Sequence, residues 1–87
     1  MKLSIIILNY NSGTYLASCL SSIYASKLHK YLIEVIVVDN ASTDKSIKLT
    51  KKIEKSNPSI INIKYLILKT NIGFSAGNNR GVKISSP

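Results

Sequence analysis

Three polar clusters in this chain each begin where an apolar run stops. Ile5–Leu8 leads into Asn9-Tyr10-Asn11, and Val35–Val38 leads into Asp39-Asn40-Ala41-Ser42-Thr43-Asp44. Leu66–Leu68 leads through Thr70-Asn71 into Gly73-Phe74-Ser75-Ala76-Gly77-Asn78-Asn79-Arg80-Gly81. A carboxylate at a strand end, where Asp39 falls, can accept hydrogen bonds from the imide N–H of a base or from a ribose hydroxyl. It can equally cap its own turn, since Asp is a common turn residue. Asn9 and Asn11 bring amide donors and acceptors, and Tyr10 an aromatic face. That set suits a planar base edge, and equally an ordinary Asn-rich turn. Gly73, Gly77 and Gly81 recur every four residues, which on a helix leaves one face bare for close packing. Each helical glycine costs about 1 kcal/mol relative to alanine, so some close backbone approach must offset it. Gly73, just ahead of the helix, can also leave backbone N–H groups facing a ligand. The spacing is neither the Gly-x-Gly-x-x-Gly dinucleotide fingerprint nor a Walker A loop.

The clusters share one site only if parallel strands deliver them to the same edge of a sheet. The pattern strand, helix, strand, helix, strand, helix meets that condition. Leu3–Leu8 is short, β-branched and almost wholly apolar, which suits a strand covered on both faces. Gly13 or Thr14 opens a helix whose Leu16, Cys19, Leu20, Ile23 and Tyr24 form one apolar stripe, so Cys19 reads as a packing residue. Lys27–Tyr31 is a polar connection, and its His29 reads as a surface residue without chemistry. Ile33–Val38 is the second buried strand. Ser42 is the expected N-cap of the second helix, with Asp44 in its first turn and Ile47, Leu49 and Ile53 as its apolar side. Asn57-Pro58 ends that helix. Ile60–Leu68 begins as a half-exposed edge strand and becomes continuously apolar from Tyr65, and Ser75–Ser85 forms a third helix cut off at Pro87. Right-handed crossovers give a Rossmann-like open parallel sheet with flanking helices and a switch point beside the first strand. Ligands bind outside the carboxyl ends of such strands.

Composition narrows the possibilities. The chain has 87 residues, enough for one small domain, and its 45% hydrophobic and 18% charged content is that of a globular segment. The start, Met1–Leu8, superficially resembles a secretion signal, but its apolar stretch ends at Asn9 without a small-residue cleavage pattern, so a buried strand is the expectation. Cys19 is the single cysteine, which excludes an internal disulfide or a Cys-rich metal site and makes the cytoplasm the default compartment. The net charge is +8, yet Arg80 is the only arginine and no aromatics interleave with a basic cluster, which argues against a nucleic-acid partner. Lys45, Lys48, Lys52 and Lys55 share one helical face. Such a stripe is either the solvated side of the helix or a surface drawn to an anionic membrane or an acidic partner.

Taken together, three segments resemble the first three motifs of family 2 glycosyltransferases, in order and at matching separations. They are Ser4–Asn11, Val37–Asp44 and Asn71–Gly81, and the resemblance covers essentially the whole chain. The wording of Gly73–Gly81 is similar to the rhamnosyltransferase-like branch. The resemblance implies a GT-A fold whose first half holds a nucleotide-diphosphate sugar, with residues 1–87 as a single partial domain. It implies that Asn9, Tyr10 and Asn11 line the nucleoside pocket and that Asp39, with Asn40 beside it, contacts base or ribose. Gly77, Asn78 and Asn79 would close over the nucleotide, with Asn79 or Arg80 as polar contacts. It also implies a divalent cation, Mg2+ or Mn2+, for the complete enzyme, held by an Asp-x-Asp motif that follows Gly81. No Asp or Glu follows Glu54, so neither the metal ligands nor a catalytic base is in this chain. The expectation is an N-terminal nucleotide-sugar-binding segment, inactive alone, of an inverting enzyme that glycosylates a polysaccharide or lipid-linked acceptor. Such an enzyme would be cytoplasmic and peripheral at the inner face of the membrane. The alternative is a non-catalytic nucleotide- or partner-binding remnant, as a homo-oligomer that covers its sheet edge. A sugar nucleotidyltransferase fits less well, since Asn9–Gly13 lacks the basic residue that grips a triphosphate.

Overall fold

A computed structural model describes residues 2–26, 32–57 and 61–85. The elements are β1 (Lys2–Asn9), α1 (Tyr15–Ala25), β2 (Leu32–Asp39), α2 (Ser46–Lys55), β3 (Ile61–Ile67) and α3 (Phe74–Ile84). The strands form one parallel sheet in the order β1-β2-β3. The register aligns Asn9 with Asp39 and Asp39 with Ile67, so the strands end level with one another. Two further backbone bonds, Asn40 N–H to the Asn9 carbonyl and Leu68 N–H to the Asp39 carbonyl, carry the ladder into the loops. The order does not reverse among the described residues, so the expected switch point beside β1 is not seen there.

Strand alternation splits the core into two layers. Ile33, Val35 and Val37 of β2 face one side and pack with Leu16 and Ile61, flanked by Ile5, Ile7, Ile23, Ile47 and Tyr65. That is the layer of α1 and α2. Ile6, Leu8 and Val38 face the other side and meet α3 at Gly77 and Gly81. A Cβ at Gly77 would lie 2.5 Å from Leu8 Cδ1, and one at Gly81 2.7 Å from Ile6 Cγ2 and 3.0 Å from Val38 Cγ2. The glycine spacing therefore does bring α3 against the sheet. Gly73 is the exception: with φ 86° it precedes the helix and sits on no helical face. Within apolar β2, Glu34 is buried, with Lys64 Nζ 3.1 Å from Oε2 and the Ser4 hydroxyl donating to Oε1 at 3.2 Å.

Several sequence expectations shift. Ser42 is not the N-cap of α2, which starts at Ser46 after Lys45. The Ser42 hydroxyl is committed to Asp39, and Asp44 caps the helix instead by accepting from Ser46 N–H at 3.1 Å. The deepest residues of α2 are Ser46 and Thr50, while the expected apolar side at Ile47, Leu49 and Ile53 is half-buried. Small side chains let α2 approach closely, and the Thr50 hydroxyl is satisfied by donating to the Ser46 carbonyl at 2.8 Å. Tyr65–Leu68 is only half covered, with Ile67 52% exposed, because β3 is an edge strand. His29 and the rest of Lys27–Tyr31, together with Ile60, Pro58 and Pro87, lie outside the described residues.

Gly81→Ala should destabilise the fold in chemical denaturation, because stiff β-branched Ile6 and Val38 cannot yield. Overpacking of about 1–3 kcal/mol exceeds the gain of about 1 kcal/mol in helix propensity. Gly77→Ala should lose less, since its nearest neighbour is the flexible tip of Leu8.

Candidate functional site

At the carboxyl edge of the sheet, alternation sends Asn9 and Asp39 toward the α1/α2 layer and Asn40 toward α3. Asn9 and Asp39 are each only 2% exposed. Asn9 Nδ2 donates to Asp39 Oδ1 at 2.8 Å and to Ser46 Oγ at 2.9 Å, and its Oδ1 accepts from Ser12 Oγ. Asp39 Oδ1 also accepts from the Ser42 hydroxyl at 2.6 Å, and Oδ2 from Ser42 N–H at 3.0 Å. A carboxylate has about four acceptor sites, so Oδ2 keeps one in reserve. Among the described residues, no buried side-chain polar atom lacks a partner.

The loop after β1 is laced to the loop after β2. Asn11 adopts φ 46°, a left-handed turn that Asn tolerates, and its N–H donates to Ser42 Oγ at 2.9 Å. Asn11 Oδ1 accepts from Thr43 N–H at 2.7 Å and from Asp44 N–H at 3.2 Å. Gly13 N–H donates to Asp44 Oδ2 at 2.9 Å, and Asp44 Oδ1 accepts from the Ser46 hydroxyl at 2.6 Å. The Ser46 hydroxyl first, and the Gly13 N–H next, hold the Asp44 carboxyl below its ordinary value of 3.8.

The loop after β3 is tied in by Asn40, which is 2% exposed. Its Nδ2 donates to the Gly73 carbonyl at 3.1 Å, and its Oδ1 accepts from Ile72 N–H at 3.0 Å. Ala41 then takes φ 65°, a left-handed conformation that costs a non-glycine residue roughly 1–2 kcal/mol. That turn returns Ser42 N–H to the Asp39 carboxylate, so the loop hydrogen bonds over-determine it.

Asn9, Asn11, Asp39 and Asn40 thus belong to one network that joins three loops. Tyr10 stands at the same rim and is 54% exposed. Gly77 is buried against Leu8 and the Asn40 amide, and Asn78 is half-buried. Asn79 and Arg80 are exposed on α3 and take part in no side-chain hydrogen bond among the described residues. Sequence reasoning missed Ser12, Ser42 and Ser46 as hubs. The signal was the run of small hydroxyl residues flanking each carboxylate. A separate open depression of about 540 Å³ lies by the last turn of α2, lined by Lys51, Glu54, Lys55 and Asn57. There Tyr65 OH donates to Glu54 Oε1 at 2.9 Å, and burial, reinforced by that carboxylate, pushes the phenol well above its ordinary range.

Residues 4–86 match the family described as Glycosyl transferase family 2. The chain is 34% identical over 84 residues to poly(ribitol-phosphate) beta-N-acetylglucosaminyltransferase TarS of Staphylococcus aureus (strain Mu50 / ATCC 700699), covering 97% of this chain and 14% of that protein. It is 32% identical over 85 residues to the poly(ribitol-phosphate) beta-glucosyltransferase of Bacillus spizizenii, covering 98% and 13%. The chain therefore spans about a seventh of these relatives. In fold it is similar to the mannosyltransferase PcManGT from Pyrobaculum calidifontis, solved in complex with GDP-Man and Mn2+. The TM-score is 0.83 at 22% identity, over 95% of this chain and 24% of that one.

Asp39→Ala should cost about 1–3 kcal/mol in denaturant titrations, because Asn9 Nδ2 and Ser42 N–H lose their buried acceptor. Asp44, whose folded value is lowered, contributes stability that is present above 3.8 and lost as pH falls through that lower value. Asp44→Asn should therefore lower the melting temperature at neutral pH and flatten its decline as the pH falls below the ordinary carboxylate value of 3.8.

Proposed function

This chain belongs to glycosyl transferase family 2 and has an α/β GT-A fold, and from these we propose that it supplies the nucleotide-sugar-binding part of a sugar-transferring enzyme. The observation that carries the reading is the lacing of three loops at the carboxyl edge of the sheet by Asn9, Asp39 and Asn40. Open α/β sheets take their ligands at that edge. In this reading the Tyr10 ring stacks on the base. Asp39 offers its remaining Oδ2 site to base or ribose, and Asn11 presents its amide at the rim. Asn40 and Gly77 bring the start of α3 up to the pocket, where Asn78, Asn79 and Arg80 meet the diphosphate.

The donor is a nucleotide-diphosphate sugar and the acceptor a polysaccharide or lipid-linked glycan. Two relatives are named for poly(ribitol-phosphate), which agrees with a polymeric acceptor. The enzyme is read as cytoplasmic, working at the inner face of the membrane. Among the described residues no helix is long and apolar enough to cross a membrane. A divalent cation, when bound, neutralises the leaving diphosphate in such transfers. The described residues do not fit one: no group of three or more metal-ligating side chains occurs among them, and Asp39 and Asp44 already accept several hydrogen bonds. The cation and its ligands are assigned to the complete enzyme, outside these residues. Each of the chain's acids is also engaged: Glu34 by Lys64, Glu54 by Tyr65, and both aspartates in the loops. None is placed to deprotonate an acceptor hydroxyl.

The purified chain should bind UDP, GDP or dTDP weakly and transfer no sugar. Nucleotide should move the amide NMR signals of Tyr10, Asn11, Ala41, Ser42 and Gly73 together. Tyr10→Ala should weaken binding about fivefold or more without a change in melting temperature, since a base–aromatic stack is worth ~1–3 kcal/mol. Unmoved loop signals at millimolar nucleotide would count against the pocket. The competing reading, a non-catalytic remnant that pairs with a partner or a second copy, draws on exposed Phe74 and Val82 of α3. Light scattering that returns a stable dimer without nucleotide shifts favours it.

A further inference from the structure

We propose that the outer face of α2 is a docking surface for an anionic lipid bilayer, separate from the nucleotide edge. Lys45, Lys48, Lys51, Lys52 and Lys55 all fall within about a third of the helix circumference, by the 3.6-residue period. All of them are exposed. The neighbouring helix of the same layer, α1, carries no charged residue at all. The acids are turned elsewhere. Glu34 and Asp39 are buried, Glu54 accepts from Tyr65, and Asp44 is spent on Gly13 and Ser46 at the loop end. Lys45, Lys48, Lys52 and Lys55 form no ion pair with a carboxylate among the described residues. Lys51 lies 5.0 Å over the Tyr65 ring. Glu54 is the one acid that shares a depression with Lys51 and Lys55, so the face keeps a clear excess of positive charge.

The chemistry of the face selects its occupant. The apolar side of α2 is packed on the sheet through Ile47, so the helix has no hydrophobic wedge to insert. Attraction is therefore electrostatic and acts within a Debye length of about 8 Å at physiological ionic strength. The lysines form one exposed stripe along α2. A fluid bilayer lets each ammonium find its own phosphate headgroup.

The test is co-sedimentation of the chain with vesicles of phosphatidylglycerol and phosphatidylcholine, against vesicles of phosphatidylcholine alone. Two triple variants with equal net charge are compared: Lys48→Glu/Lys52→Glu/Lys55→Glu on the face, and Lys2→Glu/Lys69→Glu/Lys83→Glu away from it. Far-UV circular dichroism checks folding, and Lys48→Gln/Lys52→Gln provides a milder pair. The proposal expects binding to the anionic vesicles only, falling steeply with salt. The face triple should weaken it by about a hundredfold and the control triple by far less. Equal loss in both triples reduces the effect to net charge and overturns the proposal. So does an absence of binding, or tighter capture by soluble polyphosphate than by the vesicles.

Discussion

A buried carboxylate at the end of the central strand organises this molecule. Asp39 sits where β2 leaves the sheet, almost without solvent, and an ion in that position is tolerable only when donors surround it. Asn9 and Ser42 supply those donors, and in doing so they fix the two loops that carry them. The polar loops are therefore a condition of the fold as much as a consequence of it. The donors that satisfy buried Asp39 are also what gathers the two loops at one edge.

Rigidity follows from how fully the network is satisfied. The left-handed backbone at Ala41 is unfavourable by itself and persists because Ser42 and Asn40 are held on either side of it. Close approach of α3 does similar service on the other layer, where Gly77 and Gly81 let the helix backbone rest on Leu8, Ile6 and Val38. Neither device needs a large core. That suits a chain of this size, in which little surface is available for burial.

The fold was legible because its signals are short-range and periodic. Buried strands rich in Ile and Val, the α1 stripe at Leu16 and Leu20, and the glycines of α3 each state their environment directly. That Asn9, Asp39 and Asn40 gather at one edge, as a candidate site, was legible because each directly ends an apolar run or follows its end. What the sequence concealed is how their hydrogen bonds are allocated. Ser42 reads as a helix cap because Ser is a good one, yet Asp39 competes for its hydroxyl and wins with a charged acceptor. Ser46 and Thr50 read as polar surface, and only tertiary contact reveals that a small hydroxyl fits where α2 presses on the layer below. Glu34 hides in an apolar run because its partners, Ser4 and Lys64, are remote in the chain.

Asp39 and Asn40 are neighbours in sequence but serve opposite layers, since successive side chains on a strand point to opposite sides. Parity thus becomes a property of the loop-bearing edge. Lengthening or shortening the connecting segments leaves it intact, whereas a slip of β2 by a single residue would exchange the carboxylate and the amide between layers. The register of β2 is therefore the setting that decides which layer receives the carboxylate and which the amide.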